Sequence, residues 1–320
     1  MSTVFIGTSE FAAAVLERLA RSDAHRPALV VTRPDRPSGR GRRLTPPPVA
    51  VSARALGLAL EQPQNVNDEQ ARATIAQASP HAVVVCAFGA LIKEPLLSEH
   101  QLLNVHPSLL PRWRGAAPIE RAIMAGDART GVSIMRLTAG LDSGPVCLAG
   151  AEPILADDSY GSLAARLQEL GGELLVRALD EAPPFVEQPQ EGVTYAEKLG
   201  PEDRLLDPAR PAVELERVVR ALHPHIGSRV ALADGTLLGV HRAALLGADA
   251  PDAPGAGPPE QGVVGARPPE QSAPGPVVRD GRLLLDCDPG VLELLVVQPP
   301  GGRAMDASAY LRGHGLPGRR

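Results

Sequence analysis

Residues 81 to 88, HAVVVCAF, form an almost unbroken valine-rich run. A strand with one face in water alternates apolar and polar side chains, so a run apolar on both sides belongs to a strand covered on both faces, as in the middle of a parallel sheet. Two similar runs precede it, TVFI at 3 to 6 and ALVVT at 28 to 32. Segments of helical period separate them: EFAAAVLERLA after Gly7, and VAVSARALG at 49 to 57. LLNVH and GVSIMRL continue the alternation around APIERAIMAG. Such alternation predicts an α/β fold, a Rossmann-like and mostly parallel sheet with helices on both faces and right-handed crossovers. Ligands in that architecture bind beyond the carboxyl ends of the strands.

A chain of 320 residues is long for one core, and its pattern changes near residue 190. Leu163, Leu167, Leu170, Leu174 and Leu175 lie along one helical stripe that closes a first domain over residues 1–190. Residues 191–208, punctuated by Gly192, Gly200 and Pro208, read as a linker. In the second domain, 209–320, an amphipathic helix carrying Leu215, Val218, Val219 and Leu222 precedes short apolar runs joined by Asp234-Gly235 and Asp288-Pro289-Gly290. Those are strand and turn signals, and they predict a small antiparallel barrel or sheet. Residues 247–276 are crowded with Pro, Gly and Ala and contain PPEQ twice, so they read as a disordered insertion without a core of its own.

The opening MSTVFIGTSEF has no basic stretch before a long apolar one, and no run approaches the ~18 apolar residues of a membrane span. A cytoplasmic protein without membrane contact is expected. Cys86, Cys147 and Cys287 show no C-x-x-C spacing, which argues against a disulfide framework or a zinc site. A net charge of -5 weighs against a nucleic-acid partner unless basic residues cluster locally. They do in RPDRPSGRGRR, where Arg33, Arg36, Arg40, Arg42 and Arg43 face one acid, Asp35, in a segment whose Gly and Pro predict an exposed loop.

The densest chemistry lies in LNVHPSLLPRWRGAAPIERAI, residues 103 to 123. If LLNVH ends a strand, Asn104 and His106 share a face, and an amide beside an imidazole suits the stabilisation of a developing oxyanion and the handling of a proton. In LTAGLDSGPV, Asp142 stands between Gly140 and Gly144, whose freedom lets a loop turn a carboxylate inward. Taken singly, a His beside Pro is as readily a hydrogen-bonded loop residue, and an Asp between glycines a turn-former. Taken together, Asp142 would orient His106 and stabilise its protonated form, the two arising from the ends of neighbouring strands.

NVHPSLLPRWRGAAPI followed by LDSGPV resembles the signature of the tetrahydrofolate-dependent formyltransferases. Within that family, VFIGTSEFAAAVLERL, the basic insertion PDRPSGRGRRLTPPPV and a second domain of this size are most similar to the branch that acts on charged tRNA. The resemblance covers residues 1 to about 245 and resumes near 277. It implies transfer of the formyl group of 10-formyltetrahydrofolate to the amino group of methionyl initiator tRNA, in translation initiation, by a monomer without a metal. It also implies that Asn104, His106 and Asp142 are catalytic. Ser108, Leu109, Leu110 and Pro111 would meet the folate, with its pterin near Phe88 and Gly89. Arg36, Arg40, Arg42 and Arg43 would meet the tRNA, and the second domain would be an OB-like barrel. Two departures stand out, ALHPHIGS at 221 to 228 where the family is aromatic-rich, and the Pro-rich insertion. The competing readings are a formyltransferase for a small amine such as a nucleotide sugar, which would have no need of the arginine run, and a dinucleotide-binding dehydrogenase, which Gly7-Thr8-Ser9-Glu10 fails to fit as a G-x-G-x-x-G turn.

Overall fold

The computed structural model describes residues 2–38, 41, 43–247 and 275–314. Arg40, Arg42 and nearly all of the insertion read over 247–276 therefore lie outside the described residues. The chain divides into two compact units, one of Met1–Ile119, Arg129–Pro153 and Ser162–Lys198, the other of Glu120–Ala128, Ile154–Gly161 and Leu199–Arg320.

In chain order the elements begin β1 (Thr3–Gly7), α1 (Glu10–Ala20), β2 (Pro27–Val31), β3 (Arg36–Ser38), β4 (Arg43–Thr45), α2 (Pro48–Ala55), β5 (Leu60–Glu61) and α3 (Glu69–Gln77). There follow β6 (Ala82–Cys86), α4 (Leu96–Glu99), β7 (Leu102–His106), β8 (Arg114–Gly115), α5 (Pro118–Ala125), β9 (Arg129–Arg136), β10 (Val146–Pro153), α6 (Tyr160–Glu181) and β11 (Tyr195–Ala196). Seven strands form one sheet in the order β10-β9-β7-β6-β1-β2-β5. The five from β5 to β7 are parallel, and the valine-rich run is indeed central, every residue of β6 being buried. From β1 the chain moves outward to β2 and β5, then returns to β6 on the other side, so the direction of winding switches between β1 and β6, the point at which open sheets of this kind form a crevice beyond their carboxyl ends. At this point α1 starts close to the sheet: Ser9 caps it by accepting the Ala12 N–H at 3.3 Å, and a Cβ on Gly7 would lie 2.9 Å from the Cys86 carbonyl oxygen.

Three features differ from the sequence reading. β9 runs antiparallel to β7, and β10 antiparallel to β9, so the alternation of strand and helix does not continue as parallel winding past β7. The basic run is not loop alone, because β3 and β4 pair as an antiparallel hairpin with Arg36 opposite Thr45. Its strands escaped notice because both faces are in water, Leu44 being 70% exposed, and no apolar alternation marks them. Finally, residues 191–208 carry local structure: β11 pairs in parallel with β8, and Glu202–Arg204 form a turn of 3-10 helix.

The second unit contains α7 (Ala212–Leu222), β12 (Ser228–Ala231), β13 (Leu237–Leu245), β14 (Val277–Arg279), β15 (Arg282–Asp286), β16 (Val291–Gln298), β17 (Met305–Asp306) and α8 (Ala307–Gly313). The strands make an antiparallel sheet, β12-β13-β16-β15-β14 with β17 on β16. The stripe Leu215, Val218, Val219 and Leu222 packs on its inner face with Leu238, Val240, Leu283, Leu285, Leu292 and Leu294. Burying that face is what holds this unit together.

Candidate active site

β7 ends at the crevice side of the sheet. Asn104 and His106, two residues apart, project from one face and are 8% and 4% exposed. Pro107 stops the strand, and the chain turns back through a loop held by serines. The Ser108 hydroxyl donates to the Arg112 carbonyl at 2.7 Å, while the Ser133 hydroxyl donates to the Ser108 carbonyl at 2.8 Å and accepts the Leu110 N–H. Ser108 is fully buried, so its side chain supports this turn from inside, with Leu109, Leu110 and Pro111 half-buried above it.

The turn brings the Trp113 carbonyl to 2.8 Å from His106 Nε2. A carbonyl only accepts, so Nε2 carries the hydrogen and Nδ1 is the nitrogen left to exchange a proton. Nδ1 faces Asp142 Oδ2 at 3.7 Å, and Asn104 Nδ2 reaches Asp142 Oδ1 at 3.4 Å. Oδ2 also accepts the Gly115 N–H at 2.8 Å. The three residues named from the sequence thus come together, with both aspartate oxygens committed and only 14% of that side chain exposed.

Their route is not the expected one. Because β9 is antiparallel, Arg136 pairs with Leu103, at the end of β7 away from His106. The 137 to 145 loop leaves the sheet there and folds back toward His106. Arg136 donates to the Pro145 carbonyl and Leu137 to the Leu102 carbonyl, each at 2.9 Å, and Asp142 itself takes a left-handed φ of 42°. Such a conformation in a residue with a side chain stores strain that the surroundings must hold. Trp113, at φ 63°, and Gly115, at φ 122°, sit opposite in the same state, and a Cβ on Gly115 would come within 2.6 Å of the Ala196 carbonyl oxygen.

Groups that the sequence reading missed complete the site. Thr194 receives the Trp113 N–H on its hydroxyl and the Arg114 N–H on its carbonyl, each at 2.9 Å. Gln188, 7% exposed, bonds the carbonyls of Asp142 and Gly144 and the guanidinium of Arg114. No periodicity or spacing marks Gln188, 46 positions from Asp142.

Beyond β6, Phe88 belongs to the core with Ile92 and Leu96, so the ring floors the crevice rather than opening into it. Its carbonyl accepts the Thr8 hydroxyl, and the exposed Gly89, at φ 72°, accepts Arg33 on its carbonyl. Leu137 packs on the same core, while Leu91 and Leu141 are 67% and 60% exposed. Cys86 closes β6, but burial pushes its thiol up, away from thiolate chemistry. Among the described residues no group of three or more His, Cys, Asp or Glu side chains is placed to hold a metal ion. Arg36 and Arg43 stand exposed on the β3–β4 hairpin. Asp35, the one acid in that run, accepts a hydrogen bond from Gln62 at 2.8 Å, and Gln62 also donates to the Arg33 carbonyl.

Residues 1–179 match the model of the formyl transferase family, and residues 198–315 that of the formyl transferase C-terminal domain. A methionyl-tRNA formyltransferase of Dechloromonas aromatica (strain RCB) is 40% identical over 319 residues, 99% of this chain and 97% of the relative. Among solved structures, methionyl-tRNA formyltransferase from Clostridium thermocellum superposes with a TM-score of 0.58 at 12% identity, over 77% of this chain and 94% of that one. HypX from Aquifex aeolicus in complex with tetrahydrofolic acid superposes with a TM-score of 0.60 at 15% identity; it covers 99% of this chain, which spans about half its length, 47%. No helix among the described residues is long and apolar enough to cross a membrane.

Proposed function

The chain belongs to the formyl transferase family, in the branch of the methionyl-tRNA formyltransferases, and we propose from that premise that it transfers the formyl group of 10-formyltetrahydrofolate to the amino group of methionyl initiator tRNA. It does so as a cytoplasmic monomer, with chemistry in residues 1–190 and tRNA binding shared by the basic hairpin and residues 209–320. The observation that carries the reading is the convergence of Asn104 and His106 on the Asp142 carboxylate, at 3.4 and 3.7 Å, at the end of β7.

The co-substrate supplies a formyl carbon bound to a nitrogen that can leave. The residues beside β6 suit its flat, polar-edged ring: an apolar floor at Phe88, exposed Leu91 and Leu141, and backbone turned outward at Gly89. HypX from Aquifex aeolicus, similar in fold, was solved in complex with tetrahydrofolic acid, which supports a folate as the co-substrate. Leu109, Leu110 and Pro111 form the wall, and Ser108 holds that wall in place from beneath.

The amine of methionine attacks the formyl carbon directly. A carbon–nitrogen bond forms to the methionine, the bond to the folate nitrogen breaks, the attacking amine loses a proton and the leaving nitrogen gains one. Asn104 donates to the developing oxyanion. His106, its Nε2 hydrogen fixed on the Trp113 carbonyl, takes up a proton at Nδ1, and Asp142 balances that charge while water carries the proton on. Arg36, Arg40, Arg42 and Arg43 engage phosphates or base edges of the acceptor arm, where the planar guanidinium fork is well suited.

The test is formation of formylmethionine from 10-formyltetrahydrofolate and charged initiator tRNA, with His106→Ala at least about a hundredfold slower. Formylation of an amino-sugar nucleotide in place of the tRNA would instead favour the small-amine reading.

A further inference from the structure

We infer that Gln188 is a positioning residue for the Asp142 carboxylate, acting with Arg114 as a clamp on the loop that carries it; this rests on the reading of Asp142 as part of the formyl-transfer machinery. The Gln188 amide works from both ends. Nε2 donates to the Asp142 carbonyl at 2.8 Å and to the Gly144 carbonyl at 2.7 Å, while Oε1 accepts Nε of Arg114 at 3.0 Å and Nη2 at 2.8 Å. Gln188 and Arg114 are each only 7% exposed, so water does not substitute for these bonds, and each buried carbonyl left without a donor is penalised. Two inward carbonyls on one side and a guanidinium plane on the other fix the amide's orientation without ambiguity.

The clamp sits where strain needs an outside hold. Asp142 is left-handed, and Gly144 presses so closely on the Arg136 carbonyl that a Cβ there would overlap it. The backbone of Asp142 is tied through Gln188 to Arg114, and its side chain is tied to the N–H of the next residue, Gly115. Two adjacent residues of β8 therefore fix both the backbone and the carboxylate. That sets the carboxylate against His106, and small misplacements of a catalytic group lower rates steeply.

Gln188→Glu separates clamp from scaffold. The carboxylate is the same size and keeps its bonds to Arg114, but has no N–H to offer the two carbonyls. We expect kcat to fall by about tenfold to a hundredfold with both KM values within about twofold, and amide hydrogen exchange in residues 138 to 145 to accelerate. In an Asp142→Asn background the same substitution should have no further effect on kcat, because the lost positioning has nothing left to position. The double variant Arg114→Met with Gln188→Met removes both polar side chains of the clamp, leaves the two carbonyls without their donor and should show the same fall in kcat; it carries the test if Gln188→Glu fails to fold. An unchanged kcat, a fall of equal size in the Asp142→Asn background, or unchanged exchange in the loop would overturn the inference. Because exchange is read without turnover, a wild-type protein that did not formylate methionyl-tRNA would refute the functional reading alone.

Discussion

Asp142→Asn removes one charge from the site and almost no volume. In the wild type, Oδ2 lies 3.7 Å from His106 Nδ1, the nitrogen proposed to receive the proton, and the carboxylate is 14% exposed. At an effective dielectric near 20, a charge pair at this separation is worth about 4 kcal/mol, which as an upper limit corresponds to roughly a thousandfold in rate. The amide that replaces it still offers an oxygen to the Gly115 N–H, so the loop keeps its anchor and part of the local dipole. The expected loss in kcat lies between about a hundredfold and a thousandfold, the usual range for removing a group that supports acid–base transfer. KM for the folate and for the tRNA should stay within about twofold, since neither is bound through the charge. The assay is the initial rate of formylmethionine formation at saturating concentrations of both substrates. Retention of more than about a tenth of the wild-type rate would show that no charge on His106 needs balancing, and the assignment of Nδ1 as the proton acceptor would fall with it.

Charge reversal at Arg36 and Arg43 should raise KM for methionyl-tRNA and flatten the log–log salt dependence of tRNA binding by about one unit for each phosphate no longer neutralised, with folate affinity unchanged; equal tRNA binding at all salt concentrations would make the hairpin a solvated charge run. Gly115→Ala should lower stability by at least about 2 kcal/mol in urea unfolding, because the added methyl meets the Ala196 carbonyl at a φ of 122°; an unchanged midpoint would contradict that geometry. His223 should make the protein acid-sensitive. Its pKa is held below the ordinary 6.5 by burial and then by the charges of His241 and His225, so the unfolded chain binds the proton more readily, and stability present above 6.5 is lost as the pH falls. His223→Gln should lessen that loss between pH 7 and 5 in denaturant titrations, and an identical pH dependence would count against it.

The parts of this molecule legible in the sequence are those in which one face decides the pattern. TVFI, ALVVT and AVVVC could only be buried strands, and they are β1, β2 and β6. The leucine stripe of α6 and the i, i+3, i+4, i+7 spacing of α7 were equally plain. Strand direction was not, because periodicity is the same for either sense and only the return path of the chain distinguishes them. That is why Asp142 was expected to arise from a strand end beside His106, whereas its loop travels back from the opposite end of β7. His106 stood out beside Pro107, Asn104 because it shares a strand face with His106, and Asp142 because it stands between Gly140 and Gly144. Gln188 and Thr194 act through hydrogen bonds to distant backbone, and such bonds leave no trace in local composition. The hairpin under the arginines escaped for a related reason, since a two-stranded ribbon with both faces in water has no apolar side to announce it.

The pairing of β8 with β11 has a consequence for how the enzyme comes into being. Gln188, Thr194 and Ala196, which brace the turn around Trp113 and Gly115, all follow α6 in the chain, so the strands and helices of the sheet precede every brace of that turn. During synthesis the ribosome releases these residues after the strands of the seven-stranded sheet, and the contacts that hold the turn around Trp113 and Gly115 must wait for them. A nascent chain stalled with Glu181 at the tunnel exit would lack all three of these braces, and one from which Ala196 has emerged would be the first to hold them all.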